Sequence, residues 1–168
     1  MATATPDVYA SNTTLYQDPG LVEGVDYARR YRDDGVARSL CGGALNVLSL
    51  HGFDASLADL PDDAQAVLVG GRNDTLKQHL LREFDAVDVD AIDALDHEKL
   101  NGNDPTNIAN RTLLGMGGHL ELTGPLRSAM FDDDARPRRA HTTTKVFWAF
   151  VVACRNALAR LEASQEIL

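Results

Sequence analysis

LPDDAQAVLVGGRND, residues 60–74, decides between two folds for this chain. Pro61, the two acids after it and the glycine pair near the end fit a short helix with ordinary boundaries. Val67 and Val69 around Leu68 fit a buried strand equally well, and a short apolar run does not distinguish the two. A strand here would favour a small α/β enzyme or nucleotide binder with a pocket at the strand's end, whereas a helix would remove that alternative.

Helical patterns dominate the sequence on either side. Asp18-Pro19 is a typical helix start, with an aspartate N-cap before a proline at the first helical position. Asp74 is placed to cap another helix, TLKQHLLREF. Between them, VARSLCGGALNVLSLHGF has one helical face made by Leu40, Ala44, Val47, Leu48 and His51. Residues 108–130 carry further apolar positions that glycines and Pro125 break into short helical pieces.

The C-terminal segment gives the clearest helical pattern. Thr142 or Thr143 is placed to cap a helix that runs to about residue 164. Its first half is apolar on every face, which indicates a helix in the centre of the core or in a subunit contact. We therefore predict an interface made by Phe147, Trp148, Phe150 and Val151.

These patterns predict a mainly α fold. The small, polar, Thr-rich residues 1–17 indicate an extended N-terminal arm, and residues 18–168 a single helical domain. One short β pair fits the apolar run at 64–70 and the alternation of Val87 and Val89 with aspartates. The alternative is an α+β fold.

The composition favours a protein that works in concentrated salt. The chain has a formal net charge of −9, with 19 Asp, 6 Glu, 13 Arg and 3 Lys, a bias we expect of a halophile. The charge argues against sequence-independent nucleic-acid binding, although acidic surfaces also occur on halophilic DNA-binding proteins. Neither a signal peptide nor an apolar run of membrane-spanning length is visible, so we expect a soluble protein of the cytoplasm or of a virion.

Residues 85–98, DAVDVDAIDALDHE, contain six carboxylates and no Lys or Arg. The spacing fails the EF-hand pattern, because Ile92 and Asp93 stand where that loop needs an oxygen ligand and a glycine. We interpret the segment as a solvated face rather than a metal site.

Known catalytic motifs are absent. His97-Glu98 begins like a zinc-protease motif without its second histidine, and the His119-Leu120-Glu121 triplet lacks the following P-C-x-x-C of zinc deaminases. Cys41 and His51 are interpreted as core residues, although a Cys/His dyad brought together by folding stays open. No residue is therefore predicted to be catalytic, to bind a cofactor or to bind a metal.

The one basic patch is RPRRAHTTTK, residues 136–145, with Arg136, Arg138, Arg139 and Lys145. We predict that it docks an acidic partner surface or a nucleic-acid backbone, against the simpler interpretation of a solvated loop that offsets the three preceding aspartates. Partner binding that survives neutralisation of the three arginines would reject the docking role.

Together these features favour a non-enzymatic structural or adaptor subunit of a homo-oligomeric assembly in a halophile. A virion component such as a head–tail connector fits, with other copies and other assembly subunits as its partners and no cofactor. The alternatives are a small α/β nucleotide-binding protein or enzyme that uses residues 67–74, and a transcription regulator that uses the arginine patch.

Overall fold

A four-stranded mixed sheet forms the centre of the protein, in a computed structural model that describes residues 35–165. In chain order the helices and strands are α1 (Gly35–Gly43), β1 (Leu48–Phe53), β2 (Ala66–Gly71), α2 (Asp74–Asp85), β3 (Asp90–Asp93), β4 (Gly118–Thr123), α3 (Gly124–Ala129) and α4 (Lys145–Ser164). The strands lie side by side in the order β1-β4-β2-β3. β1 is parallel to β4, β4 is antiparallel to β2, and β2 is parallel to β3.

One face of the sheet holds the larger core. Side chains of β2 and β4 pack there against α2, α3 and α4 in one apolar cluster. Its fully buried strand residues are Val67, Val69 and Leu120. The opposite face carries a smaller cluster made by Phe53, Ala58, Leu68, Ala94 and Leu100. Because both faces are covered, every residue of β2 and of β4 is buried.

Helices α2 and α4 pack against each other across this core. Phe84 of α2 lies against Phe150 of α4, with ring centroids 5.2 Å apart. Next to this pair the buried carboxylate of Glu83 accepts hydrogen bonds from Arg160 and, at 3.1 Å, from Asn156. These contacts hold the pKa of Glu83 below its usual value, chiefly through the Arg160 hydrogen bond. An aromatic contact and a charged contact therefore join the two helices.

The prediction of a mainly α fold is wrong, and the structure is α+β. The segment 60–74 contains β2, whose burial on both faces removes the polar alternation by which strands are recognised. The helix expected to run through to His51 ends at Gly43, and β1 follows. The region 108–130, expected to form short helical pieces, contains the buried strand β4 as well as α3.

Other predictions agree with the structure or lie outside it. The C-terminal helix is confirmed at Lys145–Ser164, with Thr144 rather than Thr142 or Thr143 as its N-cap. The helix after residue 73 is confirmed with Asn73 rather than Asp74 as its N-cap. The predicted arm 1–17 and the helix start at Asp18-Pro19 lie outside the described residues. None of the helices described between residues 35 and 165 is long and apolar enough to cross a membrane.

The contact between α2 and α4 gives a stability prediction. Phe84 is fully buried, so Phe84→Ala should lower the free energy of unfolding by about 3–5 kcal/mol, since the cavity adds to the lost transfer energy. Leu95→Ala is the control, because Leu95 is 63% exposed and its loss should change stability by less than about 0.5 kcal/mol. Denaturant unfolding measures both variants, and equal losses would contradict this account of the core.

Candidate functional site

Four polar residues form a block on the face of the sheet opposite α2 and α4. In the parallel pair of β1 and β4, Ser49 lies beside His119 and His51 lies beside Glu121. Residues two apart in a strand point to the same face. The pairing therefore brings all four side chains together from two segments about 70 residues apart in sequence.

The loop 101–110 covers this block. Gly70 permits its close approach, because a side chain at that position would meet the backbone of Asn101. The buried Asn110 holds the loop in shape by donating hydrogen bonds to the carbonyls of Gly102 and Asp104, at 2.8 and 2.9 Å. Its side-chain oxygen accepts the backbone N–H of Gly117 at 3.1 Å, which fixes the loop to the start of β4.

A pocket of about 310 Å³ lies between the block and the loop. The strands contribute His51, His119 and Glu121 to its lining, and the remaining residues come from the loop and the segment before it. These are Glu98, Lys99, Asn101, Gly102, Asn103, Asp104, Asn107 and Ile108. The lining is thus almost entirely polar, with three titratable side chains from the strands and three from the other side, namely Glu98, Lys99 and Asp104.

One carboxylate oxygen of Glu121 is hydrogen-bonded, and the other has no hydrogen-bond partner in the described residues. Nε2 of His119 lies 3.0 Å from Oε1 of Glu121, and Nδ1 of the same ring lies 2.9 Å from the Ser49 hydroxyl. His119 and Glu121 are only 5% and 8% exposed. Oε2 of Glu121 is the one buried side-chain oxygen or nitrogen without a hydrogen-bond partner in the described part of the chain. A buried unpaired carboxylate oxygen is costly, so its retention indicates a functional role.

His51 stands next to this pair with its ring unbonded. Its ring centroid lies 4.7 Å from that of His119, and no hydrogen bond to its ring occurs within residues 35–165. Burial of one side of the ring lowers the pKa of His51, the neighbouring His119 lowers it further, and the Glu121 carboxylate opposes both effects. His51 is therefore neutral at neutral pH and can donate or accept one hydrogen bond in the pocket.

The sequence-based predictions placed function elsewhere. Of the predicted interface residues, Phe150 is buried against Phe84, Phe147 and Val151 are partly buried, and Trp148 is 55% exposed. A subunit contact through Trp148 stays a prediction.

In the basic patch, Arg138 pairs with Asp133 at 2.8 Å and Arg139 with Asp134 at 2.7 Å, while Arg136 and Lys145 are exposed. The docking role of the patch also stays a prediction. The patch lines none of the pocket described above.

The acidic segment 85–98 has all six carboxylates exposed, as expected for a solvated face.

Neither cysteine belongs to the pocket. Both are free thiols, and burial raises the pKa of Cys154 to about 12, which keeps that thiol protonated. Cys41 is likewise partly buried, and its pKa is raised by burial. The open possibility of a Cys41–His51 dyad gains no support, because His51 faces His119 and Glu121.

Ser49 and Asn107 were not among the predicted functional residues, and Glu121 was considered only within a motif that the sequence does not complete. The triplet His119-Leu120-Glu121 was noticed, but was compared only with a zinc-deaminase motif. Polar and apolar residues alternate through HLELT, residues 119–123, and that alternation is the local signal of a strand with three polar groups on one face.

Comparison with known proteins identifies the family. Residues 29–153, about three quarters of the chain, match the family model described as poly-gamma-glutamate hydrolase. The chain belongs to this family. A search of curated proteins finds no match.

Two solved structures resemble the chain. A bacteriophage poly-gamma-glutamate hydrolase is 26% identical with a TM-score of 0.71, covering 79% of this chain and 61% of its own. The zinc-free apo form of YNDL is 25% identical with a TM-score of 0.67, covering 77% of this chain and 60% of its own. The chain thus spans about three fifths of the length of each.

The family assignment corrects the predicted function. A non-enzymatic adaptor subunit, such as a head–tail connector of a virion, is wrong, because most of the chain matches a family of hydrolases. The nucleotide-binding and transcription-regulator alternatives do not describe this family either. The error has a structural cause: the polar block lies on two strands that were interpreted as helices, where its residues would have pointed in different directions.

One of the similar structures is described as zinc-free, which raises the question of whether the pocket residues of this chain can ligate zinc. A catalytic zinc takes three protein ligands. The ring of His51 and Oε2 of Glu121 are unbonded, whereas both ring nitrogens of His119 are hydrogen-bonded. Across residues 35–165, no group of three or more His, Cys, Asp or Glu side chains is placed to hold a metal ion. The described residues therefore do not make a zinc site by themselves.

A substitution at Gly102 tests the close contact between the loop 101–110 and the ring of His119. Gly102 has a φ of +63°, and a β-carbon there would meet the imidazole ring at 2.5 Å. Gly115 has a similar φ of +67° with nothing within 4 Å, so it is a matched control. Both alanine variants should lose about 1–2 kcal/mol in a left-handed conformation. Gly102→Ala should lose at least about 1 kcal/mol more from the clash, as measured by denaturant unfolding. Equal losses of unfolding free energy in the two variants would mean that the loop moves away from His119 without an energetic cost, and would contradict a fixed contact.

The pKa of His51 gives a second test. An NMR titration should place it below its ordinary value of 6.5, and Glu121→Gln should lower it further by removing the carboxylate that raises it. Because the folded pKa is below the unfolded one, His51 makes the free energy of unfolding fall as the pH drops through that interval. A wild-type midpoint at or above 6.5, or an upward shift in Glu121→Gln, would contradict this electrostatic description.

Proposed function

We propose that this chain hydrolyses the γ-linked amide bonds of poly-gamma-glutamate in the pocket between the sheet and the loop 101–110, with Glu121 as the general base. The observation that carries the proposal is the buried Oε2 of Glu121, which has no hydrogen-bond partner in the described residues while Oε1 is bonded to His119. The family assignment supplies the reaction class and the substrate class.

Each group of the block has a defined role in this proposal. Oε2 of Glu121 takes a proton from a water molecule, whose oxygen adds to the amide carbon. The neutral ring of His51 can donate an N–H to the amide oxygen, where negative charge develops. The C–N bond then breaks, and the proton held by Glu121 passes to the leaving nitrogen. The cysteines and the basic patch take no part in these steps.

The negative charge of the protein repels the negatively charged poly-gamma-glutamate, and concentrated salt would weaken this repulsion. At 1 M salt the Debye length is about 3 Å, so the net charge of −9 would act on the substrate only at short range. Within the pocket, Lys99 and the side-chain amide of Asn101 are donors for a substrate carboxylate. We therefore propose cleavage in saline conditions; whether the protein resides in the cytoplasm or in a virion stays a prediction.

The test of the proposal is cleavage of poly-gamma-glutamate by purified protein in dilute and in molar salt. Size-exclusion chromatography follows the loss of polymer length, and an amine-reactive dye counts new amino ends. Glu121→Gln should lower the cleavage rate by about 10²- to 10⁴-fold, which is the usual contribution of general-base catalysis.

Glu162→Gln is the matched control for this variant. It makes the same substitution on an exposed residue of α4 that does not line the pocket, and it should retain the wild-type rate. Wild-type protein that leaves the polymer intact at every salt concentration, or a folded Glu121→Gln variant as active as wild type, would refute the proposed function.

A further inference from the structure

The hydrogen bonds around His119 determine which ring nitrogen carries the proton. Nδ1 lies 2.9 Å from the hydroxyl of Ser49 and 3.5 Å from Nδ2 of Asn107, while Nε2 lies 3.0 Å from Oε1 of Glu121. A neutral imidazole has one donor and one acceptor nitrogen, and the choice depends on the partners.

Asn107 settles the role of Nδ1. Its side-chain oxygen accepts the backbone N–H of Ala109 at 3.0 Å, where a short 3-10 turn begins. This hydrogen bond fixes the orientation of the amide, so the group that faces His119 is the NH₂, which only donates. A protonated Nδ1 would direct its hydrogen at these amide hydrogens. Nδ1 must therefore be the acceptor.

Ser49 agrees with this assignment. Its single hydroxyl hydrogen has two acceptors within reach, Nδ1 of His119 at 2.9 Å and the carbonyl of Gly118 at 3.3 Å. The shorter contact is the one to Nδ1. With Nδ1 accepting a hydrogen bond from Ser49, Nε2 carries the proton and donates a hydrogen bond to Oε1 of Glu121.

We propose that Ser49 and Asn107 fix His119 as the neutral Nε2–H tautomer, so that His119 holds Oε1 of Glu121 and leaves Oε2 free to act in the pocket. His119, Ser49 and Asn107 are then positioning residues for the carboxylate. The inference rests on the proposed function for its consequence, but the tautomer can be measured without any substrate.

The decisive measurement is the imidazole ¹⁵N spectrum of histidine-labelled protein at about pH 8, with His119 assigned by its absence in His119→Gln. Wild-type Nδ1 should resonate as an unprotonated nitrogen and Nε2 as a protonated one. In Asn107→Asp, one carboxylate oxygen can still cap Ala109 while the other accepts a hydrogen bond, so Nδ1 should become protonated. Asn103→Asp adds the same charge to the same loop without touching His119, and should leave the tautomer unchanged.

The consequence for the reaction is measured with Ser49 variants. Ser49→Ala removes a donor to Nδ1 and should lower kcat about 3- to 10-fold with KM unchanged, because the base is misplaced while binding is not. Ser49→Thr retains the hydroxyl and should restore most of kcat. These variants also serve if Asn107→Asp does not fold.

The outcomes separate the two proposals. A protonated Nδ1 in wild-type protein would overturn the tautomer assignment and leave the hydrolase proposal standing. A Ser49→Ala variant with an unchanged kcat, or one that Ser49→Thr does not rescue, would overturn the positioning role. Wild-type protein with the expected tautomer but no cleavage of poly-gamma-glutamate would overturn the proposed function and leave the hydrogen-bond assignment intact.

Discussion

The register between β1 and β4 is the constraint on which the site depends. It places His51 beside Glu121 and Ser49 beside His119, and no other element brings these residues together. A slip of one residue in either strand would turn its polar side chains to the opposite face, where α2 and α4 pack. The apolar alternation of Leu120 and Leu122 fixes which face β4 turns to the larger core, since both are buried there. The core on one face of the sheet therefore determines the chemistry on the other.

Burying Glu121 is costly, and the surrounding structure offsets the cost only in part. One carboxylate oxygen is hydrogen-bonded to His119, and His119 in turn is hydrogen-bonded to Ser49. The other oxygen has no partner in the described structure. β2 and β4 are packed on both faces, which limits the movement of the strand that carries the carboxylate. The rigidity of the fold thus keeps the carboxylate in a position that local energetics disfavour.

The sequence was sufficient for the helices and insufficient for the strands. The helices at 74–85 and 145–164 have caps and an apolar periodicity that depend on local residues, so both could be predicted. β2 is buried on both faces, and its apolar residues carry no periodicity that excludes a helix. β4 does alternate polar and apolar residues, but over only five positions, between glycines that favoured short helical pieces. The loop 101–110 could not be placed either, because its position depends on the close approach of Asn101 to Gly70.

The candidate site shows why a motif search fails in such a fold. Two of its residues, His119 and Glu121, are two apart in sequence, but their partners Ser49 and His51 come from a strand about 70 residues away. Neither pair forms a known motif alone, and each has an ordinary interpretation as a core or surface residue. Only the parallel pairing makes them neighbours, and parallel strands always join segments that are distant in sequence. Among the acidic side chains of residues 35–165, the informative one is Glu121, which the fold buries with one oxygen unpartnered.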